Sequence, residues 1–347
     1  MNNITHNTIN IPRYPPEFQQ IITAKNHNFV GREFVFGAIN KFLHQYDRGY
    51  FTIIGDPGIG KSAIIAHYVS QNPGTVYYNV EIAGKNHAEE FLTNISTQLI
   101  EIAQHQGIKN IVNNLTDSST ENSGFLSLLL QQISDKLHPE QRLIITIDAC
   151  DRIDINNQPR GSNLFYLPRY LPEKVYFILT RRPFLADKSG LLMETPSQYL
   201  DLANYHQENH ADIQKYINYL NSENIDHQLA QIIHNNESNF MYVSAIFRHS
   251  HQNIYPENLQ LYYQTHLDKM ILTTSNQQTM AVQVLNILVQ EELISLETLA
   301  ERLDEDEYDI KVILDNWREF LHLELQQDIN YSFYHPHFCA WLKQKIS

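Results

Sequence analysis

The stretch "GDPGIGKSA", residues 55–63, lies between a short apolar run and a longer amphipathic one. It follows the pattern of a glycine, four variable residues and then Gly-Lys-Ser. Between a predicted strand and a predicted helix, this spacing is typical of a loop that binds phosphate through backbone N–H groups and the positive end of a helix dipole. The residues assigned to phosphate binding are Gly55, Asp56, Pro57, Gly58, Ile59, Gly60, Lys61, Ser62 and Ala63.

Two side chains of this loop suit a nucleotide that is bound with Mg²⁺. The Lys61 amine can reach the β- and γ-phosphates, and the Ser62 hydroxyl is a hard oxygen ligand of the kind that Mg²⁺ prefers. The predicted cofactors are therefore ATP or ADP together with Mg²⁺. A glycine-rich turn without a ligand is the alternative, and it does not account for the strand before the loop and the helix after it.

Apolar strand runs alternate with amphipathic helices around the loop, as they do in α/β proteins. Near-continuous apolar runs indicate strands that are buried on both faces, and these runs are GYFTIIG, TVYYNVEI, RLIITID and KVYFILT. The fold class predicted from this alternation is α/β: a P-loop NTPase with a parallel sheet and helices on both faces.

The strand runs stop after about residue 200, where the apolar residues take up helical spacing. The last segment shows three helices followed by two strand-like runs around a polar turn, an order that suggests a winged helix. The first residues are rich in Asn and Pro and lack periodicity. The predicted organisation is an extended N-terminal arm (1–28), a P-loop NTPase domain (29–200), an all-α helical domain (201–268) and a winged-helix domain (269–347).

Acidic and basic residues follow two of the predicted strands. Asp148 ends the run RLIITID, and a carboxylate at this position can bind Mg²⁺ together with Ser62. Asp151, three residues further on, can orient the attacking water or accept its proton, and Asp154 is the second candidate for this role. Arg181 and Arg182 follow the next strand, where an arginine can sense a γ-phosphate and the other can form a surface salt bridge.

Together these motifs resemble the signal-transduction ATPases with numerous domains (STAND), relatives of the apoptosome, plant-resistance and NACHT ATPases within the wider AAA+ group. FVGRE (29–33) looks like the segment that precedes the family's first helix, and GDPGIGKSA (55–63) resembles its phosphate loop. IITIDACD (144–151) is similar to its apolar strand with two acidic residues, and ILTRRP (178–183) resembles its sensor strand. The family also continues with a helical domain and a winged helix.

The resemblance assigns roles to individual residues. It makes Lys61, Asp151 and Arg182 catalytic, with Arg182 as the sensor, and it makes Ser62 and Asp148 ligands of the metal ion. The residue after Asp151, Arg152, stands where the family often has Glu, which implies slow hydrolysis.

Two further contacts with the nucleotide are implied by the resemblance. His335 in FYHPHFCAWL (333–342) would touch the β-phosphate of ADP, while a histidine ring that is simply packed or exposed remains the alternative. The residues that would line the adenine pocket are Phe29, Val30, Gly31 and Arg32.

The acidic composition argues against nucleic acid as a partner. The 347 residues carry a formal net charge of −14, and residues 304–309, which lead into the helix that would enter a DNA groove, include five acidic side chains. No apolar run approaches the ~18 residues of a membrane span, and the two cysteines match neither a disulfide nor a zinc spacing. The expectation is a cytoplasmic protein that has neither a membrane nor a nucleic acid as a partner.

The predicted function is an ATP/ADP-controlled molecular switch with slow ATP hydrolysis. ADP would hold a closed monomer and ATP would open it for self-oligomerisation, with an effector or sensor supplied by a protein partner or by a part of the protein outside these residues. The main alternative is a ring-forming motor or loader ATPase of the AAA+ class, which needs an arginine from a neighbouring subunit. A small-molecule kinase is a third possibility, for which the sequence shows neither an acceptor site nor a lid.

Overall fold

A computed structural model gives the fold. It describes residues 14–56, 58–105, 123–154, 158, 162–183, 191–221, 240, 243, 263–264, 266–271, 278–291, 293–325, 328–333 and 336–346. The chain divides into two compact units, formed by residues 1–55, 61–182 and 186–216 and by residues 56–60, 183–185 and 217–347. The three-domain division stays a prediction, because most of the expected helical domain lies outside the described residues.

A five-stranded sheet forms the centre of the first unit. Its strands are β1 (Gly49–Ile54), β2 (Val76–Asn79), β3 (Leu143–Asp148), β4 (Val175–Arg181) and β5 (Ser197–Asp201). They pair in the order β2-β3-β4-β1-β5, and every pair is parallel. Successive residues of β1 and β4 are buried, so both faces of the sheet are covered. The predicted α/β class, a parallel sheet flanked by helices, is confirmed.

The described helices that lie wholly or mostly in this unit are α1 (Pro16–Asn26), α2 (Glu33–Gln45), α3 (Lys61–Gln71), α4 (Ala88–His105), α5 (Ser123–Ser134) and α6 (His206–Asn221). Helix α4 illustrates why they form, because Phe91, Ile95, Leu99 and Ile102 recur every three or four residues and are all buried. This apolar stripe stabilises the helix mainly through packing rather than through intrinsic propensity.

The strand order decides which residues meet at the edge of the sheet. Strand β4 lies between β1, which leads into the phosphate loop, and β3, which ends at Asp148. The register pairs Ile54 with Arg181 and Asn79 with Asp148. Since parallel strands present their carboxyl ends at one edge, the phosphate loop, the acidic residues after β3 and the arginines after β4 share that edge.

The N-terminal arm differs from the prediction, because part of it is the helix α1. Pro16 stands at the start of the helix, where its missing N–H costs nothing. Phe18 and Ile22, four residues apart, are buried, and the Phe18 ring contacts those of Tyr77 and Tyr78 at centroid distances of 5.5 and 5.4 Å. The high content of Asn and Pro concealed this short apolar stripe.

Strand β5 was also absent from the sequence-based prediction. It pairs with β1 and ends the sheet on that side. Its residues show no apolar run, since only Leu200 is buried and Tyr199 is 53% exposed. An edge strand needs little apolar surface, and this is why the pattern gave no signal.

The second unit contains an antiparallel sheet and helices. The described elements are α7 (Gln278–Gln290), β6 (Ile294–Ser295), α8 (Leu296–Leu303), α9 (Glu307–Asn316), β7 (Leu321–Leu325), β8 (Ile329–Phe333) and α10 (Pro336–Ile346). The strands pair in the order β6-β8-β7. Helices followed by a hairpin were expected from the sequence, and the assignment to the winged-helix class stays a prediction.

One buried cluster holds this second unit together. Trp317 is 1% exposed, and its ring N–H donates to the carbonyl oxygen of Met270 at 2.9 Å. The acidic start of α9 has a structural explanation, because the Asp306 side chain accepts a hydrogen bond from the backbone N–H of Tyr308 at 2.7 Å. Across the described parts of the chain, no helix combines the length and the apolar character that crossing a membrane requires.

Candidate nucleotide-binding site

The phosphate loop connects β1 to α3, as the sequence predicts. Gly58 and Gly60 have φ angles of +81° and +99°, in the left-handed region that favours glycine. Lys61 begins α3, and its ammonium group donates a hydrogen bond to the carbonyl oxygen of Gly55 at 2.6 Å. This contact folds the lysine side chain back over the loop, where the backbone N–H groups at the start of α3 also lie. Pro57 is outside the described residues.

Asp148 ends β3 as a deeply buried carboxylate with several hydrogen-bond donors. It is 1% exposed; the Thr180 hydroxyl donates to one of its oxygens, and the Asn79 side-chain amide donates to the other at 3.1 Å. Ser62 also hydrogen-bonds to it. Burial raises the pKa of Asp148, and the hydrogen bonds from Thr180 and Ser62 oppose this rise.

The pair formed by Ser62 and Asp148 fits a magnesium ion. A hydroxyl and a carboxylate that lie within hydrogen-bonding reach are hard oxygen ligands, and Mg²⁺ commonly uses one or two such ligands with water and phosphate oxygens. In the described part of the chain no cluster of three or more His, Cys, Asp or Glu side chains is placed to hold a metal ion. Since Mg²⁺ takes its remaining ligands from water and phosphate oxygens, Ser62 and Asp148 suit an ion that is shared with a phosphate group.

Two polar residues that support Asp148 were not assigned this role from the sequence. Thr180, at the end of β4, donates to Asp148 and accepts a hydrogen bond from the backbone N–H of Ala149 at 2.9 Å. Asn79 ends β2 and is 2% exposed. A polar residue at the carboxyl end of an apolar strand run is the signal that could have identified both of them.

The two residues expected to act on the γ-phosphate are paired with each other. The Arg182 backbone N–H donates to Asp151 Oδ1 at 3.0 Å, and Arg182 Nε lies 3.3 Å from Asp151 Oδ2. Their side chains are 11% and 3% exposed. Asp151 lies in a short 3₁₀ helix (Cys150–Arg152) after β3, so the pair joins the ends of β3 and β4.

Arg181, the neighbour of Arg182, is placed differently. Its guanidinium donates to the carbonyl oxygen of Arg182 at 3.1 Å and lies 5.9 Å from the centre of the Tyr199 ring. Burial lowers its pKa. Of the two arginines, Arg182 is thus the one that pairs with the carboxylate of Asp151.

The segment expected to line the adenine pocket is fixed to α6. The Arg32 backbone N–H donates to Asp212 Oδ2 at 2.8 Å, and its guanidinium donates to the side-chain oxygen of Asn209. A Cβ atom at Gly31, where φ is +75°, would overlap the carboxylate of Asp212, so only glycine fits. Burial lowers the pKa of Arg32 to about 10, and the charge of Asp212 opposes this.

The first residue of this segment, Phe29, stacks on His67. The two ring centroids are 4.2 Å apart and the ring planes differ by 12°. The adenine contacts proposed for Phe29, Val30, Gly31 and Arg32 stay predictions. His335, the residue expected at the β-phosphate, lies outside the described residues.

Comparisons with known proteins address the sheet-containing part of the chain. Residues 28–178 match the family model of the AAA ATPase domain, which supports an AAA+ P-loop ATPase domain in this part. No curated protein matches the chain. Among solved structures, one similar chain belongs to Drosophila ORC bound to DNA, at 14% identity over 94% of this chain and 98% of that chain, with a TM-score of 0.35. A likeness this distant carries no argument about function.

Proposed function

We propose that the chain is an ATP/ADP-controlled molecular switch of the STAND type that hydrolyses ATP slowly. ADP would hold a closed monomer, and ATP would favour an open form that self-associates and acts with an effector or sensor module. We place this switch in the cytoplasm, without nucleic acid as a partner. The AAA ATPase match supports nucleotide-driven activity, and the STAND mechanism comes from the motif resemblance.

The observation that carries the proposal is the buried pair of Arg182 and Asp151. Its guanidinium nitrogen and carboxylate oxygen lie 3.3 Å apart at the sheet edge that also holds Asp148. A γ-phosphate is a competing anion for Arg182, whereas ADP offers no such group. The two nucleotides would therefore favour different partners for the same guanidinium, which is the differential contact that a switch requires.

The energies involved are of the right size. Removing one partner from a buried ion pair costs about 3–5 kcal/mol. Shifting a two-state equilibrium from 1:99 to 99:1 needs about 5.5 kcal/mol. The exchange of Asp151 for a γ-phosphate as the partner of Arg182, together with the ordering of neighbouring residues, can supply a difference of this order.

The remaining residues of the site would bind the nucleotide and its ion. The loop N–H groups and Lys61 would hold the phosphates, and Ser62 and Asp148 would hold Mg²⁺. The ion supplies charge neutralisation at the phosphates when it is bound. Thr180 and Asn79 keep the Asp148 carboxylate in position.

The first experiment identifies the nucleotide and the assembly state. The purified protein is denatured to release its nucleotide, and its mass in solution is then measured with ADP and with a non-hydrolysable ATP analogue. A monomer that retains ADP and self-associates with the analogue supports the proposal. Arg182→Ala should give the same mass with both nucleotides, whereas Arg181→Ala, the matched neighbour, should still respond. An identical compact monomer of the wild type in both states would reject the switch.

The AAA ATPase match also favours a second candidate, a ring-forming motor or loader. Such an assembly would turn over continuously and would need an arginine from a neighbouring subunit. Steady-state hydrolysis that rises steeply with protein concentration would favour this candidate over the switch.

A further inference from the structure

Glu81 stands at the carboxyl end of β2, beside Asp148, and has no role in the site described above. The backbone N–H of Val80 donates to the carbonyl oxygen of Asp148 at 3.1 Å, which keeps the chain next to β3 after β2 ends. The backbone N–H of Glu81 then donates to the side-chain oxygen of Asn79 at 2.8 Å. Since the amide nitrogen of Asn79 donates to Asp148, one buried side chain positions both the Glu81 backbone and the Asp148 carboxylate.

The Glu81 side chain is accessible and oriented by a cation. It is 48% exposed, and its carboxylate oxygen lies 3.6 Å from Arg152 Nε. Solvent can reach the Glu81 carboxylate, which lies beside the carboxylate expected to bind the metal ion. Such a group is a suitable acceptor for a proton from water.

Two other carboxylates near the end of β3, those of Asp148 and Asp151, are poorly suited to this task. Asp148 is 1% exposed, and both of its oxygens accept hydrogen bonds from Thr180 and Asn79. Asp151 is 3% exposed in its side chain, and Arg182 contacts each of its oxygens. A proton acceptor needs an oxygen that the attacking water can approach, and among these three residues Glu81 offers it.

We propose that Glu81 is the catalytic base of ATP hydrolysis in this protein and that Arg152 orients its carboxylate. The inference rests on the proposed nucleotide function. In the step, the Glu81 carboxylate accepts a proton from water while the water oxygen forms a bond to the γ-phosphorus. The bond from that phosphorus to the bridging oxygen breaks, and its electron pair stays on the ADP oxygen. Glu81 then releases the proton to the phosphate product or to solvent.

The test compares Glu81→Gln with the wild type and with Glu90→Gln. Glu90, on α4, pairs with Lys85 and gives the same change of charge outside the site. Each protein is loaded with ATP and Mg²⁺, single-turnover hydrolysis is measured, and the retained nucleotide is identified after denaturation. Glu81→Gln should bind ATP like the wild type, hydrolyse it roughly 100-fold or more slowly, and still hold ATP when the wild type holds ADP. Glu90→Gln should behave like the wild type.

Two further variants separate a base from a residue that only supports the fold. Arg152→Gln should slow hydrolysis less than Glu81→Gln does, because it leaves the carboxylate in place. Asp151→Asn should leave more activity than Glu81→Gln if Asp151 acts only on Arg182. Equal losses in Arg152→Gln and Glu81→Gln, or normal hydrolysis in Glu81→Gln, would overturn the inference.

The outcomes also separate this inference from the function on which it rests. If the wild-type protein switches with nucleotide while Glu81→Gln hydrolyses ATP normally, the proposed function stands and the role of Glu81 as the base is rejected. If the wild-type protein binds ATP without hydrolysing it, the role of Glu81 as the base is also rejected, but nucleotide binding by the site stands. A wild-type protein that binds no nucleotide overturns both.

Discussion

Two buried polar clusters of the first unit contain charged groups, and the groups that surround the buried charge differ between them. In the cluster around Asp148, the hydrogen bonds come from the neutral side chains of Thr180, Asn79 and Ser62, and burial raises the pKa of the carboxyl group more than the charge of Lys61 lowers it. In the cluster around Arg32, a guanidinium bonds to Asn209 and lies near the opposite charge of Asp212.

The difference indicates which cluster is built for a ligand. A buried charge without a neutralising ion is expensive, and proteins keep one where a cation or a reaction will compensate it. A buried charge beside an opposite charge already has its compensation and serves to fix two elements to each other. By this criterion the Asp148 cluster is the one that we propose as a ligand site, whereas the Arg32 cluster joins the FVGRE segment to α6.

The largest effect on the site side is expected from Lys61→Ala. The ammonium group would contact phosphate oxygens, and losing such a charged hydrogen bond weakens binding by about 3 kcal/mol, or roughly 100-fold. The purified variant should therefore contain no nucleotide, as measured by chromatography after denaturation. The stability of the nucleotide-free protein should change by no more than about 1 kcal/mol, the usual net worth of a hydrogen bond such as the one to Gly55.

Lys41→Ala is the matched control for this change, because Lys41 is exposed on α2. It should retain nucleotide like the wild type. Unchanged nucleotide content in Lys61→Ala would remove the lysine from the phosphate site and would weaken the contrast between the two clusters.

Asp148→Asn should separate activity from stability. The amide keeps the size of the side chain and one oxygen that accepts a hydrogen bond, but it loses the charge that would bind Mg²⁺. Hydrolysis should fall roughly 100-fold or more, because a catalytic metal ion contributes several kcal/mol. The free energy of unfolding, measured in urea, should change by no more than about 1–2 kcal/mol, the range for one disturbed buried hydrogen bond. A much larger loss of stability with hydrolysis intact would make Asp148 a structural residue.

Asp212→Ala tests the cluster around Arg32 and should lower the free energy of unfolding. It removes the charge beside a guanidinium that is 2% exposed, and breaking a buried pair in this way costs about 3 kcal/mol. Urea unfolding of the nucleotide-free protein measures the loss.

The neighbouring Lys215 provides the control for this experiment. It contacts both Glu33 and Asp212 at 3.2 Å, but its side chain is 53% exposed. Lys215→Ala should cost less than about 1 kcal/mol. Equal costs in Asp212→Ala and Lys215→Ala would show that the Arg32 cluster contributes little as a buried pair.

The sequence predicted the parts of the site that depend on local spacing. Lys61 and Ser62 follow their glycines in one short loop, and Asp148 follows its own strand run, so each could be located without knowing the fold. The confirmed parallel sheet follows from equally local patterns of apolar residues.

The contacts that the sequence could not predict join distant residues. Asp151 and Arg182 are 31 residues apart, and they meet only because β3 and β4 are neighbours. Arg32 and Asp212 are 180 residues apart, and nothing in the composition of either segment indicates the pair. Helix α1 and strand β5 escaped prediction for another reason, since each depends on one or two buried residues in a polar stretch.

His67 offers a third case, a titratable ring that is packed against neutral groups, and it should give the smallest effect. Its Nδ1 lies 2.8 Å from Asn26 Oδ1, its ring stacks on Phe29, and burial lowers its pKa below the ordinary value of about 6.5. Between the lowered pKa and about 6.5 the unfolded chain binds more protons than the folded one, so stability rises with pH in this window. This contribution is complete above a pH of about 6.5 and is lost as the pH falls through the lowered pKa.

Urea unfolding at a pH of about 7.5 and at a pH of about 5.5, on either side of the ordinary histidine pKa, measures this dependence. The difference between the two values should be smaller in His67→Gln than in the wild type, while the exposed His44→Gln should keep the wild-type difference. The effect should be modest, because solvent screens a ring that is only partly buried. An effect as large as that of Asp212→Ala would mean that partial burial against neutral groups matters as much as a fully buried pair of charges. The distinction between the two clusters would then need a cause other than charge compensation.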